Sequence, residues 1–262
     1  MLIYGMKNYI ISGFGFVGKA TMATLKKFHI GVPTITIDDP QIGMESNQWP
    51  RADYHIICVP TQQMRDGNLD LSAIYDAISR AKDQGFRGRT VIRSTINPMD
   101  YNKIINNTFK VPVAWPEFLR EAHWEQDAND PKLVVMGGPS ADLLAANFKS
   151  SLNITLVEDP NAAWMMKVAR NAYYALKVIV ANDIVDACDQ LNIDYTEVKA
   201  ALLSDPMIGP SHWDQPGHDG SMGFGGKCLP KDTASLDRLL CDLGNSDNFA
   251  AWALAKNQNL RG

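Results

Sequence analysis

Residues 223–233 read GFGGKCLPKDT. One cysteine follows a run of glycines, carries Lys227 before it and Lys231 after it, and stands just ahead of a stretch with helical spacing. A structural cysteine is normally set among apolar neighbours. A thiol beside lysines and a helix N-terminus instead has a lowered pKa and supplies a thiolate nucleophile at neutral pH. With a helix predicted from about Lys231 to Leu243, Cys228 is the candidate nucleophile. Asp232 is read either as its chemical neighbour or as a plain N-cap. Two more pairs have spacing that can do chemistry. In PEFLRE, Glu117 and Glu121 are four residues apart, which on a helical turn puts both carboxylates on one face. Like charges at that spacing are mildly unfavourable, so the pair is either a solvated surface pair or part of a pocket in which one carboxylate acts as a base. Lys167 and Asn171 are also four apart, inside an apolar stretch. The lysine either snorkels to solvent or aims its ammonium, with the asparagine carboxamide, into a site.

A reactive thiol needs something to react with, and the N-terminal region supplies a clue. GFGFVG places Gly13, Gly15 and Gly18 in dinucleotide-fingerprint spacing, with Phe16 and Val17 between the last two glycines. The motif follows an apolar strand pattern and opens a helical one, and an acid ends the next strand. Gly13 permits the tight turn, Gly15 the approach of a pyrophosphate, and Gly18 close packing of helix on strand. The helix N-terminus then faces the phosphates. Asp38 is read as the carboxylate on the adenosine ribose, favouring NAD over NADP, with Asp39 as the alternative if the strand runs one residue further. Val59, Pro60, Thr61, Ser94 and Thr95 follow later strands on the edge that faces the ligand crevice in open α/β sheets. A hydride acceptor beside a thiolate suggests oxidation of an aldehyde through a thioester.

These residues need a frame. NYIISG, PTITIDD, ADYHIICVPT, RTVIRST, KLVVMGG and NITLVED read as strands, and FVGKATMATLKKF, LDLSAIYDAISRAKDQG and SADLLAANFKSS as helices between them. Asp70 or Ser72 caps the second of these. Alternation of this kind predicts a parallel, doubly wound, Rossmann-like sheet over residues 1–159. From Pro160 the pattern changes to an all-helical domain, 160–262, which carries Cys228. Its long central helix, about 161–191, is apolar nearly all round. Such a helix must be buried on most sides, and the chain offers few helices to cover it, so a homodimer built on it is expected. Shorter helices follow at YTEVKAALLSD and NFAAWALAKNQNLRG.

The 262 residues are 45% hydrophobic and 21% charged, with formal net charge −4. That is ordinary globular composition, and it provides no basic field for nucleic acid or anionic membrane. No apolar run reaches the ~18–20 residues that span a bilayer. The N-terminus MLIYGMKNYI lacks a signal-peptide pattern, so a cytoplasmic location is expected. None of the cysteines forms a CxxC pair, so no metal is expected. Cys58, Cys188 and Cys241 read as buried, reduced thiols.

In GFGFVG, ICVPT with DGNLDLS, RSTINP, PEFLREA, WMMKVARNAYYALKVIVANDI, DPMIG and GFGGKCLPKDT, the sequence resembles the UDP-glucose/GDP-mannose dehydrogenase family in order along nearly the whole chain. The resemblance implies oxidation of C6 of a nucleotide sugar, most simply UDP-glucose, from alcohol to acid with reduction of two NAD. It also implies roles. Thr95 and Asp232 hold a water that helps deprotonate the C6 hydroxyl. Lys167 and Asn171 stabilise oxyanions, Cys228 adds to the aldehyde, Glu117 assists hydrolysis of the thioester, and Glu121 positions nearby groups. Three departures accompany it. The family's second Rossmann-like domain, which grips the nucleotide, is expected to be absent from this chain. The arginine of the family's DPRIG, which reaches into the partner's substrate site, is here Met207. The stretch between the second and third strands is short. Related readings are the same chemistry on a sugar phosphate or hydroxy acid, and a silent NAD-binding partner of a full-length relative.

Overall fold

A computed structural model describes residues 6–46 and 49–261. Residues 1–5, on which the signal-peptide reading falls, lie outside the described residues. The chain forms two compact units. The first comprises the described residues up to Gln62 together with Leu69–Lys167; the second comprises Gln63–Asn68 and the chain from Val168 onward.

The first unit is built on seven strands: β1 (Asn8–Ser12), β2 (Thr34–Asp38), β3 (Tyr54–Ile57), β4 (Arg89–Ile92), β5 (Val113–Ala114), β6 (Val135–Gly137) and β7 (Thr155–Val157), in the order β2-β1-β3-β4-β5-β6-β7. The strands alternate with α1 (Phe16–Phe28), α2 (Ser72–Asp83), α3 (Pro98–Ile105), α4 (Trp124–Asn129) and α5 (Ala141–Ala145). Because successive side chains point to opposite faces, β3 sends Tyr54 and Ile56 into one core with Leu25 and Phe28 of α1, and Ile57 into the other with Ile74 and Ile78 of α2. Ile56 and Ile57 are fully buried, each stabilising by about 1.5–3 kcal/mol. Strand order reverses at β1, so the ligand crevice of such a sheet opens beyond the carboxyl ends of β1 and β3.

The sheet is not parallel throughout, as the sequence pattern predicted. β6 runs antiparallel to β5, and β7 runs parallel to β6. A short apolar run announces a buried strand but carries no direction. β5, α3 and α4 are additions to the sequence reading. α3 did leave a signal, since the Asn97 side chain accepts from Met99 N at 3.0 Å just ahead of Pro98, an asparagine cap with proline at the first helical position. Ahead of α2 the Asp70 carboxylate accepts from Ser72 N at 2.9 Å.

The second unit is helical. α6 (Pro160–Leu191) is 32 residues long and passes from one unit to the other between Lys167 and Val168. α7 (Tyr195–Leu203), α8 (Leu229–Asp242) and α9 (Phe249–Arg261) follow. α7 is capped by Asp194, which accepts from Thr196 N at 2.8 Å. The core is formed by Val168, Ala172, Leu236 and Leu239 in one cluster and Ala175, Val178, Ile179, Phe224 and Ala253 in another. Cys58 and Cys188 are buried as expected, whereas Cys241 is exposed, a correction to the sequence reading. It lies in the last turn of α8 with Asp237 and Asn248 beside it. Helical spacing placed it on a helix but did not identify which face that helix buries.

Candidate active site

At the carboxyl end of β1 the chain turns at Gly13, whose φ is +85°. A Cβ there would stand 3.0 Å from the main chain of Cys58 and Val59. Gly18 is packed still tighter: its Cβ would meet Gly13 O at 2.1 Å. Gly15, the N-cap of α1, is different. It is exposed, and nothing lies within 4 Å of where its Cβ would be. The fold itself asks for glycine at 13 and 18; the demand at 15 falls to whatever approaches the helix N-terminus from outside. Phe16 and Val17 are half-buried in the first turn of α1, which has no acidic side chain. That end of the helix therefore favours an anion.

The two acids at the end of β2 have different surroundings. Asp38 is 2% exposed. Its carboxylate accepts from Ser12 Oγ at 3.1 Å, Arg80 Nη2 at 3.1 Å and Ser46 N at 3.2 Å. Ser12 Oγ also lies 2.8 Å from His55 Nε2. Burial, with Arg80 nearby, pushes His55 down to about 3. Asp39 is half-buried at the glycine turn, where it accepts from Phe14 N at 2.8 Å. The outer loops are tied together: Ser94 Oγ donates to Val59 O at 2.6 Å and Thr61 Oγ1 to Thr95 O at 2.7 Å. Thr61, Ser94 and Thr95 are buried, while Pro60 is exposed.

PEFLRE is not a helical turn. Residues 115–120 have no regular structure, and Glu121 begins a short 3-10 turn. Glu117 and Glu121 therefore do not share a helical face. Glu121 is exposed. Glu117 is 5% exposed; its Oε1 accepts from Lys167 Nζ at 2.8 Å and its Oε2 from Leu119 N at 2.8 Å. Lys167 does not snorkel. It is 2% exposed, with its ammonium 5.7 Å from the Phe118 ring centre.

One turn further along α6, Asn171 Nδ2 donates to Asp232 Oδ2 at 2.6 Å. Asp232 is fully buried, and Lys231 Nζ lies 2.9 Å from its other oxygen. α8 begins two residues earlier than predicted, because Pro230 can occupy the second helical position without breaking it. Cys228 is thus the N-cap itself, half-buried, and its carbonyl accepts from Asp232 N at 2.8 Å. Asp232 stands in the first turn and is not the cap. Thr95 belongs to the first unit and Asp232 to the second. Met207 is 89% exposed.

Arg93 was not singled out from the sequence. It is 5% exposed, its guanidinium lies 4.1 Å over the Trp115 ring, and its Nε has no hydrogen-bond partner. β4 and β5 are in register at Ile92 and Ala114, and β3 and β4 at Ile57 and Ile92. Cys58, Arg93 and Trp115 therefore form a row across three strand ends. Burial pushes the Cys58 thiol up to about 11. The available signal was an arginine directly after the buried run TVI. Among the described residues no cluster of metal-ligating side chains occurs, and no helix is long and apolar enough to cross a membrane.

Two family models match the chain. The NAD binding domain of the UDP-glucose/GDP-mannose dehydrogenase family covers residues 43–149, and the central domain of the same family covers residues 161–259. The UDP-glucose 6-dehydrogenase YwqF of Bacillus subtilis is 32% identical over 223 residues, 80% of this chain and 49% of that protein. The UDP-glucose 6-dehydrogenase of Campylobacter jejuni is 27% identical over 219 residues, 80% of this chain and 53% of that protein. The chain thus spans about half the length of these curated relatives. A UDP-glucose dehydrogenase structure from Pyrobaculum islandicum superposes with a TM-score of 0.82 at 24% identity, covering 99% of this chain and 69% of that one. This likeness establishes the shared fold.

Proposed function

The chain belongs to the UDP-glucose/GDP-mannose dehydrogenase family, and on that premise we propose that it oxidises the C6 alcohol of a nucleotide sugar, UDP-glucose first among them, to the carboxylate. NAD, when bound, accepts a hydride in each of two oxidations. The residues fit it: open space at Gly15, an acid-free helix N-terminus, and the Asp39 carboxylate at the turn. The two acids both accept hydrogen bonds, Asp38 from Ser12, Arg80 and Ser46 and Asp39 from Phe14 N and Gln41 N, and burial favours Asp39 as the ribose ligand, because Asp38 is 2% exposed and Asp39 is half-buried.

The chain's own residues then divide the work. Asp232, with Thr95, holds the water that takes the C6 hydroxyl proton. The ammonium of Lys167 and the carboxamide of Asn171 are donors fixed before the reaction, of the kind that stabilise a developing oxyanion. Sγ of Cys228 adds to the aldehyde carbon, giving a thiohemiacetal, and loss of a second hydride leaves a thioester. Glu117 takes a proton from the water that attacks it, and the carbon–sulfur bond breaks to return the thiol. In sum, one alcohol, one water and two NAD give one carboxylate, two NADH and three protons. Glu121, exposed, is given a positioning role for nearby groups.

In this reading residues 1–159 bind the dinucleotide, and residues 160–262 carry the nucleophile and a dimer surface. A second copy of the chain is the proposed cover for one face of α6. Tyr173, Val180 and Leu191 are 53%, 37% and 68% exposed, and Ala169, Leu176 and Ile184 continue the same stripe at three- and four-residue spacing. The four cysteines with no disulfide accord with a cytoplasmic location.

The observation that carries the proposal is the pairing of Lys167 with Glu117 and of Asn171 with Asp232, one turn apart on α6, with Cys228 heading the helix that holds Asp232. The test is NADH production from a panel of UDP-, GDP- and TDP-sugars, sugar phosphates and hydroxy acids. Two NADH per nucleotide sugar, abolished in Cys228→Ser, is expected. Turnover confined to non-nucleotide alcohols, or NAD binding without turnover, would contradict it.

A further inference from the structure

Glycine-rich backbone is the least constrained segment a chain can offer, yet a nucleophile must be held within about 0.5 Å of its productive geometry. The approach to Cys228 resolves this conflict at Gly223 and Phe224. All four main-chain polar groups of these two residues end on side chains of α6 and α9. Gly223 N donates to Asn182 Oδ1 at 3.1 Å, and Gly223 O accepts from Arg261 Nη2 at 3.2 Å. Phe224 N donates to Asn257 Oδ1 at 2.6 Å, and Phe224 O accepts from Asn257 Nδ2 at 3.0 Å. The Asn257 carboxamide thus pairs with Phe224 as a neighbouring strand would. Asn182 is fully buried and is itself oriented by donating to Val178 O at 2.7 Å. The Phe224 ring, 2% exposed, is packed with Ala175, Val178, Ile179 and Ala253.

The same clamp accounts for two of the glycines. A Cβ on Gly223 would stand 2.4 Å from Asn257 Oδ1, at a residue whose φ is +71°. A Cβ on Gly225 would stand 2.6 Å from Arg261 Nη1. Gly226 has open space around it, so its φ of +76° is what calls for glycine there. Beyond Cys228, α8 is pinned by Asn171 on Asp232. The cysteine is therefore bracketed between the Gly223–Phe224 clamp and α8.

We propose that Asn257, supported by Asn182 and Arg261, is a positioning residue for Cys228: its two-point hydrogen bond to Phe224 fixes where the glycine loop delivers the sulfur. This rests on the reading of Cys228 as the nucleophile. Losing such a fix moves the sulfur by about an ångström, a displacement that costs on the order of 10²-fold in rate.

The test compares wild type with Asn257→Ala, Asn257→Asp and Gly225→Ala in two assays. In the first, iodoacetamide labelling of each cysteine is timed by peptide mass spectrometry without substrate. Exposed Cys241 is the internal reference, and buried Cys58 and Cys188 report loss of structure. In the second, kcat, KM and NADH per sugar are measured. In Asn257→Ala the labelling rate of Cys228 relative to Cys241 is expected to fall about tenfold, with Cys58 and Cys188 still protected. kcat for the second oxidation falls by on the order of 10²-fold, KM for the sugar holds, and aldehyde accumulates. Asn257→Asp, which keeps the acceptor for Phe224 N, and Gly225→Ala, which displaces Arg261, give intermediate losses. The proposal is overturned if Cys228 keeps its relative reactivity in all three variants, or if Cys58 and Cys188 become labelled in step with it. If wild type oxidises no nucleotide sugar while the variants still lose Cys228 reactivity, the activity reading fails and the positioning role stands.

Discussion

Lys167 and Glu117 form an ion pair at 2.8 Å with side chains only 3% and 6% exposed, and the consequence can be worked in both stability and rate. Lys167→Met leaves the Glu117 carboxylate buried with Leu119 N as its remaining bond among those described above. Glu117→Gln leaves the ammonium buried, although the new amide oxygen can still accept from Leu119 N. Removing one partner of a buried pair costs about 3–5 kcal/mol. Replacing both by uncharged groups of similar volume is close to neutral, because the desolvation penalty of both ions disappears as well. The double variant should therefore lie within about 1 kcal/mol of wild type, and the cycle should show a coupling of about 5 kcal/mol or more. Urea unfolding at pH 7 reads this as a shift in midpoint at constant m. Activity should not follow stability: Lys167→Met lacks the ammonium that steadies the oxyanions, Glu117→Gln lacks the base for thioester hydrolysis, and the double variant lacks both, so all three should lose turnover. Additive single costs, or a double variant as unstable as the worse single, would refute the claim that the two charges are held in place by each other.

Asp39→Asn should weaken NAD binding by about tenfold or more, the usual size of a lost bond to a charged group, with stability little changed. Asp38→Asn should instead lower stability by about 1–3 kcal/mol, because one amide oxygen must serve the Ser12, Arg80 and Ser46 donors that two carboxylate oxygens share, and the charge facing Arg80 is lost. Calorimetric titration of NAD beside urea unfolding separates the two, and the reverse pattern would move the ribose ligand back to Asp38. Between pH 6.5 and about 3 the unfolded chain binds a proton at His55 that the folded chain refuses, so stability rises with pH across that window and is lost as pH falls below 6.5. The loss from His55 reaches about 2 kcal/mol by pH 5. His55→Phe should flatten that part of the profile, and an unchanged slope would contradict it. Tyr173→Glu combined with Val180→Glu should convert a dimer to a monomer in sedimentation, whereas a monomeric wild type would remove the proposed α6 interface.

How much of this was legible beforehand depended on whether the signal was local. The glycine turn, its strand and its helix are written in consecutive residues, so β1, α1 and β2 fall where the pattern put them. Lys167 and Asn171 were legible as a pair because helical spacing places them on one face of α6. Their partners were not legible: Glu117 and Asp232 are 50 and 61 residues away in sequence, and no periodicity links them. PEFLRE misled because four-residue spacing implies a shared face only where a helix forms, and residues 115–120 have no regular structure. The antiparallel step at β6 was invisible because hydrophobicity has no direction. Cys241 was misjudged because helical spacing gives a stripe without saying which side is covered. The clamp on Gly223 and Phe224 was beyond sequence reasoning altogether: each glycine looked like flexibility, and two of them are there because Asn257 and Arg261 occupy the space a Cβ would need.

The most direct measurement of the central claim is the mass of the Cys228 peptide from Glu117→Gln protein quenched with acid after mixing with NAD and UDP-glucose. With hydrolysis slowed, the expected result is a peptide heavier by the oxidised sugar nucleotide, attached at Cys228 and released by hydroxylamine as a thioester would be. An unmodified Cys228 peptide during active turnover, or a Cys228→Ser protein that still makes two NADH per sugar at the wild-type rate, would contradict it.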